Sequence, residues 1–324
     1  MKVLLTGAAG GMGLESLKPM SEDKGSYQIV ALDLDNERCR ERLKPYADSK
    51  RVQTLFGDLT DAAFVEKAVR GCDLILHMAA FVSPAADYHP KKAMEVNFGG
   101  TRNLIEAVKR LGQNDTTRFV YIGTVAETGD RMPPIHWGRA GDPIKPSMFD
   151  YYAVSKIAAE RYVIESGLKY WVSLRQTGIM GPAMAKIRDA IQFHKKASQM
   201  DHFTDWDKVI PIDHGYDESK LESELTLTDL QGAAKFRGGE CLSESMKQGD
   251  WQTKQTFRCA FGHTFDASPR LILEGGHWCP ECERKSWNCG ARAKVDPFFA
   301  QVWNPLHGPD EMRVYPKEVT ELDV

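Results

Sequence analysis

Tyr152-Ala-Val-Ser-Lys156 sets a phenol and an ammonium group four residues apart, and residues at that spacing share one face of a helix. A free phenol has a pKa of about 10, and a positive charge beside it lowers that value. A phenol tuned in this way can exchange a proton with a substrate hydroxyl or carbonyl near neutral pH. Tyr151 is adjacent but lacks the four-residue spacing to Lys156. Thr124, just beyond the apolar run Phe119-Val-Tyr-Ile122, supplies a hydroxyl to orient the substrate oxygen. A Tyr-x-x-x-Lys pair also arises by chance in helices, so its meaning depends on the elements that position it.

A second constellation lies near the other end. Cys259-Ala-Phe-Gly-His263 is followed, after fifteen residues, by Cys279-Pro-Glu-Cys282. One short-spaced pair reaches two corners of a tetrahedron and a second supplies the others, so Cys259, His263, Cys279 and Cys282 read as the ligands of one structural zinc. Gly262 and Pro280 suit the tight turns required, and Cys241 or Cys289 could replace His263. Trp251, Phe257, Phe261, Phe265, Trp278 and Trp287 read as a small core around the metal. The alternative is a partner-binding surface using Arg258, Arg270, Arg284, Lys285 and Arg292. A redox role for Cys279-x-x-Cys282 is the weaker option, because the pair does not open a helix of a thioredoxin-like unit.

The phenol needs a cofactor and a frame. Val3-Leu-Leu5 is long enough for a buried parallel strand, and the chain then passes Gly7, Gly10, Gly11, Met12 and Gly13 into a helical pattern at Leu14. Glycine permits a tight turn and close approach of a ligand to backbone. The helix beyond points free N–H groups and its positive dipole end at the turn, an anion site that fits a pyrophosphate. Asp33 closes the run Ile29-Val-Ala-Leu-Asp33, where a carboxylate about twenty residues on binds a ribose 2′-hydroxyl. That carboxylate repels a 2′-phosphate and no Arg or Lys lies in the glycine turn, so the cofactor reads as NAD, with Arg38 the downstream cation closest to it.

Strand and helix patterns alternate to about residue 180. Val52-Gln-Thr-Leu-Phe56 ends at Gly57-Asp58-Leu59-Thr60. Asp58, beside Leu59, either accepts from an adenine amino group or caps the turn, and Thr60 is the expected N-cap of a helix from Asp61 to Arg70. Asp73 to Ala80 is the next strand; its small exit residues Ala79 and Ala80 let a dinucleotide lie against backbone, and His77 reads as a buried structural histidine. Asn97 falls in a helical stretch from about Lys91 to Leu111. The alternation predicts an α/β fold, a doubly wound parallel sheet of Rossmann type with helices on both faces. Gly7, Asp33, Asp58, Ala79 and Thr124 all fall at strand carboxyl ends, where such sheets bind ligands.

At 324 residues and a net charge of −3, the chain can bury a full core but has no global basic field to recruit nucleic acid or acidic lipid. No apolar run approaches the roughly 18 residues of a membrane span, and Val3-Leu-Leu5 breaks too soon for a signal peptide. Seven cysteines, four of them in the last quarter, suggest reduced thiols and a metal site in the cytoplasm. The expected division is a dinucleotide-binding unit over 1–204, an acidic connector over 205–240 with a short helix at Leu227–Phe236, and a metal module with an aromatic tail over 241–324. Pro297-Phe-Phe-Ala-Gln-Val-Trp303 in that tail is apolar enough to dock on the first unit or a second subunit.

Thr6-Gly7-x-x-Gly10-x-x-Gly13, Asp33, Gly57-Asp58-Leu59, Ala79-Ala80, Asn97, Thr124 and Tyr152-x-x-x-Lys156 occur in the order and spacing of the short-chain dehydrogenase/reductase superfamily. The chain most resembles its extended branch, the NAD-dependent epimerase/dehydratase family, and Leu174 to Pro182 resembles that branch's strand and turn near the nicotinamide. The resemblance covers about residues 1–200. It implies Tyr152 as acid/base, Lys156 as phenol tuner and ribose ligand, Thr124 in the place usually held by serine, and Asn97 supporting the lysine through water. It also implies a homodimer through helices beside Tyr152. The C-terminal stretch resembles a treble-clef or ribbon-type zinc finger. One departure bears on substrate. The extended branch carries a substantial lobe, usually for a nucleotide sugar, where this chain offers only Ala183 to Met200.

Two functions follow. The first is an NAD-dependent oxidoreductase or epimerase acting on the secondary alcohol or ketone of a sugar-like small molecule. The second is a non-catalytic NAD-sensing or partner-binding protein with the zinc module as adaptor. The intact set of Tyr152, Lys156 and Thr124 favours the first.

Overall fold

The computed structural model describes residues 1–23, 25, 27–129, 139–176, 212–285 and 288–307. Six runs of the first unit become β1 (Lys2–Thr6), β2 (Gln28–Asp33), β3 (Val52–Phe56), β4 (Leu74–His77), β5 (Arg118–Thr124) and β6 (Tyr170–Gln176). They form one parallel sheet in the order β3-β2-β1-β4-β5-β6. The order reverses beside β1, so the crossover helices cover both faces. Adjacent residues of β1 show the consequence: Leu4 joins a cluster with Ile75, Phe119 and Tyr121, while Leu5 joins another with Leu17, Ile29 and Ala31. Side chains alternate along a strand, so a strand covered on both faces must be apolar throughout. The doubly wound Rossmann-type sheet is the fold expected.

Two local details differ. The helix after β3 spans Ala62–Val69, and its N-cap is Asp61, not Thr60. The Asp61 carboxylate accepts from the Ala63 and Phe64 N–H groups at 2.9 and 3.1 Å, and a negative charge suits the positive end of a helix. The stretch expected over 91–111 is helical throughout but changes pitch. Pro90–Ala93 and Gly100–Arg110 are α-helical, and Met94–Gly99 between them has π-type turns.

The acidic connector expected over 205–240 packs closely over its described residues, 212–240. Its helix forms at Leu227–Phe236 as expected, but Leu225, Leu230, Ala233 and Ala234 share a core with Phe257, Leu271 and Trp278. Among these described residues the one continuous exposed run is 217–224, which carries Asp217, Glu218, Glu222 and Glu224. β7 (Glu240–Cys241), β8 (Gln255–Arg258) and β9 (Thr264–Ala267) form a small antiparallel sheet over that core. The C-terminal part also leans directly on the parallel sheet's helix at Tyr151–Ile164: Arg161 donates to the Trp278 carbonyl at 2.8 Å.

The aromatic tail forms a helix over Pro297–His307 and docks on its own chain. Phe298 and Val302 meet Ile212 and Phe236, and Phe299 and Trp303 meet Cys289 and Met148. The helical pattern at 183–200, the second half of the stretch 174–182 and Trp287 lie outside the described residues. Among the described residues no helix is long and apolar enough to cross a membrane.

Candidate functional site

The glycine turn is built by close backbone contacts. Gly7 has φ +71°, and a Cβ there would stand 2.8 Å from the Ala79 backbone, so Gly7 and the exit of β4 touch. A Cβ at Gly13 would come within 2.1 Å of the Gly7 carbonyl, whereas one at Gly11 would meet nothing within 4 Å. The mouth of the turn is therefore open at Gly11, ahead of the helix Gly11–Glu22, while Gly7 and Gly13 close its base. Asp33, at the end of β2, accepts from the Ala9 N–H at 2.7 Å and from the Leu34 N–H at 2.8 Å. The expected ribose carboxylate thus also ties the glycine turn to β2.

Tyr152 and Thr124 come together as expected, with the Thr124 hydroxyl near enough to the phenol to favour its ionised form. Asp150 caps the Tyr152 helix by accepting from the Ala153 N–H at 2.8 Å, and Thr124 ends β5. The electrostatics differ from the sequence reading. Burial and the nearby Glu127 raise the Tyr152 phenol, and the Thr124 hydroxyl only partly offsets them. The expected lowering by Lys156 is absent because the ammonium is engaged elsewhere: its Nζ donates to the Ile122 carbonyl at 2.6 Å and lies 4.1 Å from the Tyr121 ring centroid. Desolvation of the phenol wins over a lysine directed at β5.

Lys156 is itself under strain of charge. Burial pushes it from 10.5 down to about 8, against the pull of Glu127 and Glu160. The folded state therefore disfavours the ammonium relative to the unfolded chain. That penalty is fully present below about pH 8 and disappears as pH rises towards 10.5, where the unfolded lysine also loses its proton. Lys156→Met is expected to raise stability by on the order of 2 kcal/mol at pH 7, with the gain shrinking towards pH 10. Denaturant titrations at several pH values check this, and a Met variant less stable than the parent at pH 7 would refute it.

Asn97 is placed differently from its expected role. Its Oδ1 accepts from the Phe81 N–H at 2.7 Å, and its Nδ2 donates to the Phe81 carbonyl and the Ser155 hydroxyl, both at 2.9 Å. It clamps the loop after β4 to the Tyr152 helix. His77 is the buried structural histidine expected, bridging the Thr6 and Thr101 hydroxyls at 2.8 and 2.9 Å. Asp58 accepts from the Thr60 N–H at 2.8 Å, as a turn cap. The Leu59 side chain enters the core and its carbonyl accepts from Asn103. Ala79 and Ala80 stand half-buried at the rim.

Residues not singled out in the sequence surround this rim. Glu127 accepts from the Thr124 N–H at 2.9 Å and lies 3.5 Å from Arg175. Arg175 grips Glu160 at 2.7 Å, and Glu160 meets His277 at 3.2 Å. Burial and the Glu160 charge hold Glu127 well above the carboxylate range. Burial also opposes ionisation of Glu160, but Arg175 and His277 keep it well below that range. The two acids therefore share one negative charge facing Arg175. Sequence signals for two of them existed: Thr124-x-x-Glu127 is a capping box, and Glu160 continues the four-residue face of Tyr152 and Lys156.

The four expected metal ligands converge. His263 Nδ1 lies 3.4, 3.6 and 3.6 Å from the sulfurs of Cys259, Cys279 and Cys282, and Cys259 and Cys282 are 3.8 Å apart. Tetrahedral zinc, with bonds of about 2.3 Å to sulfur and about 2.05 Å to nitrogen, requires about 3.6 Å between S and N and about 3.8 Å between sulfurs. The donor set and its spacing fit that ion. Cys259 and His263 flank the β8–β9 turn, where Gly262 has φ +82°, and Cys279 precedes Pro280 at the start of a short helix. Cys241 and Cys289 stand outside the group. Phe257 and Phe265 stack beside it and Trp278 meets both edge-on, with centroids 5.1 to 5.7 Å apart. Arg258, Arg270, Arg284 and Arg292 each pair with an acid of the same unit, which favours the core reading over a basic partner surface.

A cavity of about 210 Å³ opens beside Val154, Ala158, Arg161, Tyr162, Lys254 and Arg284. By helical spacing it faces away from Tyr152, Lys156 and Glu160, so it is not the reacting rim.

A family model described as the NAD dependent epimerase/dehydratase family matches residues 3–235. An uncharacterized epimerase/dehydratase of Staphylococcus aureus (strain USA300) is 26% identical over 255 residues, 75% of each chain. Among solved structures, a double mutant of the dTDP-glucose 4,6-dehydratase DesIV from Streptomyces venezuelae, with NAD and DAU bound, has a TM-score of 0.50 at 21% identity, over 67% of this chain and 66% of that one. A dTDP-glucose 4,6-dehydratase from Bacillus anthracis in complex with NAD has a TM-score of 0.48 at 20% identity, over 56% of each chain. The chain thus spans less than two thirds of the length of these two solved structures, and likeness at this identity bears on the fold alone.

Proposed function

We propose that this chain, which belongs to the NAD-dependent epimerase/dehydratase family, is an NAD-dependent oxidoreductase or epimerase acting on a secondary alcohol or ketone of a sugar-like substrate. The observation that carries the reading is the juxtaposition of Thr124 and Tyr152 at the carboxyl rim of the sheet. The open turn at Gly11, closed beneath by Gly7 and Gly13, fits a dinucleotide pyrophosphate. NAD bound there would supply the hydride acceptor. Tyr152 takes the hydroxyl proton during oxidation and returns one during reduction, and Thr124 orients the reacting oxygen. Asn97 keeps the loop after β4 in place. Cys259, His263, Cys279 and Cys282 hold one structural zinc, since four protein ligands leave no open position for water or substrate.

The dehydratase neighbours point to nucleotide sugars as the class to try first. Incubation with NAD and dTDP- or UDP-glucose, followed by nicotinamide absorbance and product chromatography, tests the activity. Inertness towards nucleotide sugars and simpler polyols would favour the NAD-sensing alternative. Asp33 makes a second expectation: NAD should bind at least about tenfold tighter than NADP, because a 2′-phosphate would face its carboxylate. Titration of both nucleotides decides it, and tighter binding of NADP would reverse the assignment. The homodimer through the Tyr152 helix would have to use what the C-terminal unit leaves free, since none of Tyr151–Ile164 is fully exposed; sedimentation measures it.

A further inference from the structure

We propose that the metal knuckle positions the catalytic rim: a metal held by Cys259, His263, Cys279 and Cys282 fixes Glu283 and His277, and these hold Glu160, Arg175 and Glu127 beneath Thr124. The proposal rests on the reading of Thr124 and Tyr152 as the reacting pair. Glu283 directly follows the ligand Cys282, and its carboxylate accepts from the Trp278 N–H at 2.5 Å, which closes the knuckle on itself. Its other oxygen lies 3.3 Å from His277 Nδ1 and 3.6 Å from Arg161 of the Tyr152 helix. His277, fully buried, reaches Glu160 with its second nitrogen at 3.2 Å. Glu160 stands one turn beyond Lys156. From there the Arg175 bonds to both Glu160 oxygens and the Arg175–Glu127 contact lead to the Thr124 N–H.

Each link joins a different element: the knuckle, the Tyr152 helix, the end of β6 and the exit of β5. Glu127, Glu160, His277 and Glu283 are all at least nine-tenths buried. In such surroundings a polar group that loses its partner is heavily penalised, so these groups shift together or not at all. A carboxylate fixed by the metal loop therefore sets the position of the cap under the reacting hydroxyl. Nothing in this chain of contacts belongs to the glycine turn, so cofactor binding should be spared when it breaks.

Hydrogen exchange on the full chain carrying one equivalent of zinc tests this. His277→Gln should keep its zinc and leave exchange in β1 and β2 as in the parent. Exchange in 122–127 and 156–160 should rise by about tenfold or more. Glu281→Gln, on the exposed side of the knuckle, should change nothing there. On a turned-over substrate His277→Gln should lower kcat while the KM for NAD stays put. Should His277→Gln not fold, Glu283→Gln in the zinc-loaded protein, which removes the charge facing His277 and Arg161, carries the same readout. A zinc-loaded variant with parental exchange at 122–127 would overturn the proposal, as would protein that cannot be loaded with zinc. Absence of turnover on every sugar nucleotide would sink the activity reading, whereas exchange decides this one.

Discussion

Tyr152→Phe is expected to bind NAD as the parent does and to lose turnover by at least about 100-fold, the usual contribution of a positioned acid or base. Phenylalanine keeps the ring and its burial and removes the hydroxyl with its exchangeable proton. The raised phenol adds a pH signature. Burial and the Glu127 carboxyl favour the protonated form, so at neutral pH the group is ready to donate. Reduction of a ketone should run undiminished through neutral pH. Oxidation of an alcohol, which needs the phenolate, should climb as pH rises from 7 towards 9. Steady-state rates in both directions, with cofactor binding measured separately, give the answer. A Phe variant with parental turnover, or an oxidation rate indifferent to pH in that window, would remove Tyr152 from the mechanism.

That reading shows how far the sequence reaches. The sheet was legible because each strand is a short apolar run with glycine, acid or small residues at its exit, and a parallel sheet buried on both faces admits little else. The meeting of Thr124 with Tyr152 and the convergence of Cys259, His263, Cys279 and Cys282 were legible, the first from a strand exit and a helix start on one rim, the second from two tight turns. The direction of Lys156 was not legible. Helical spacing puts it on the face of Tyr152, but its long side chain took the Ile122 carbonyl and the Tyr121 ring instead. The role of Asn97 was carried over from a likeness, and π-type turns at Met94–Gly99 aim it at Phe81.

The burial of 225–237 was hidden by composition. Exposed acids at 217–224 mask the pattern, while Leu225 just before the helix and Leu230, Ala233 and Ala234 on it do the packing. His277 and Glu283 gave no local signal at all, since their partners lie on elements more than a hundred residues away in the case of Glu160.

Removal of the metal is the other change with a large expected effect. The protein should carry one zinc per chain, bound through three sulfurs and His263 Nδ1, as the 3.4 to 3.8 Å spacing among those atoms requires. Structural zinc of this type contributes on the order of 10 kcal/mol of apparent binding energy at neutral pH, comparable with the total stability of a typical domain. Three thiols and an imidazole packed against Phe257, Phe265 and Trp278 cannot replace it. The sequence alone suggests that the dinucleotide unit would remain standing once the metal module unfolds. The packing argues otherwise. Arg161 is bonded to the Trp278 carbonyl, Glu165 accepts from the Ser268 N–H, and Arg175 donates to the Gly275 carbonyl, so loss of the module strips buried partners from the Tyr152 helix and β6. Chelation, or Cys279→Ser, should therefore lower the melting temperature of the whole chain by more than about 10 °C, in one transition. Elemental analysis and calorimetry with and without chelator check both halves. Two transitions, the upper one unmoved by the chelator, would restore the picture of separate units, and metal-free protein with parental stability would end the zinc assignment.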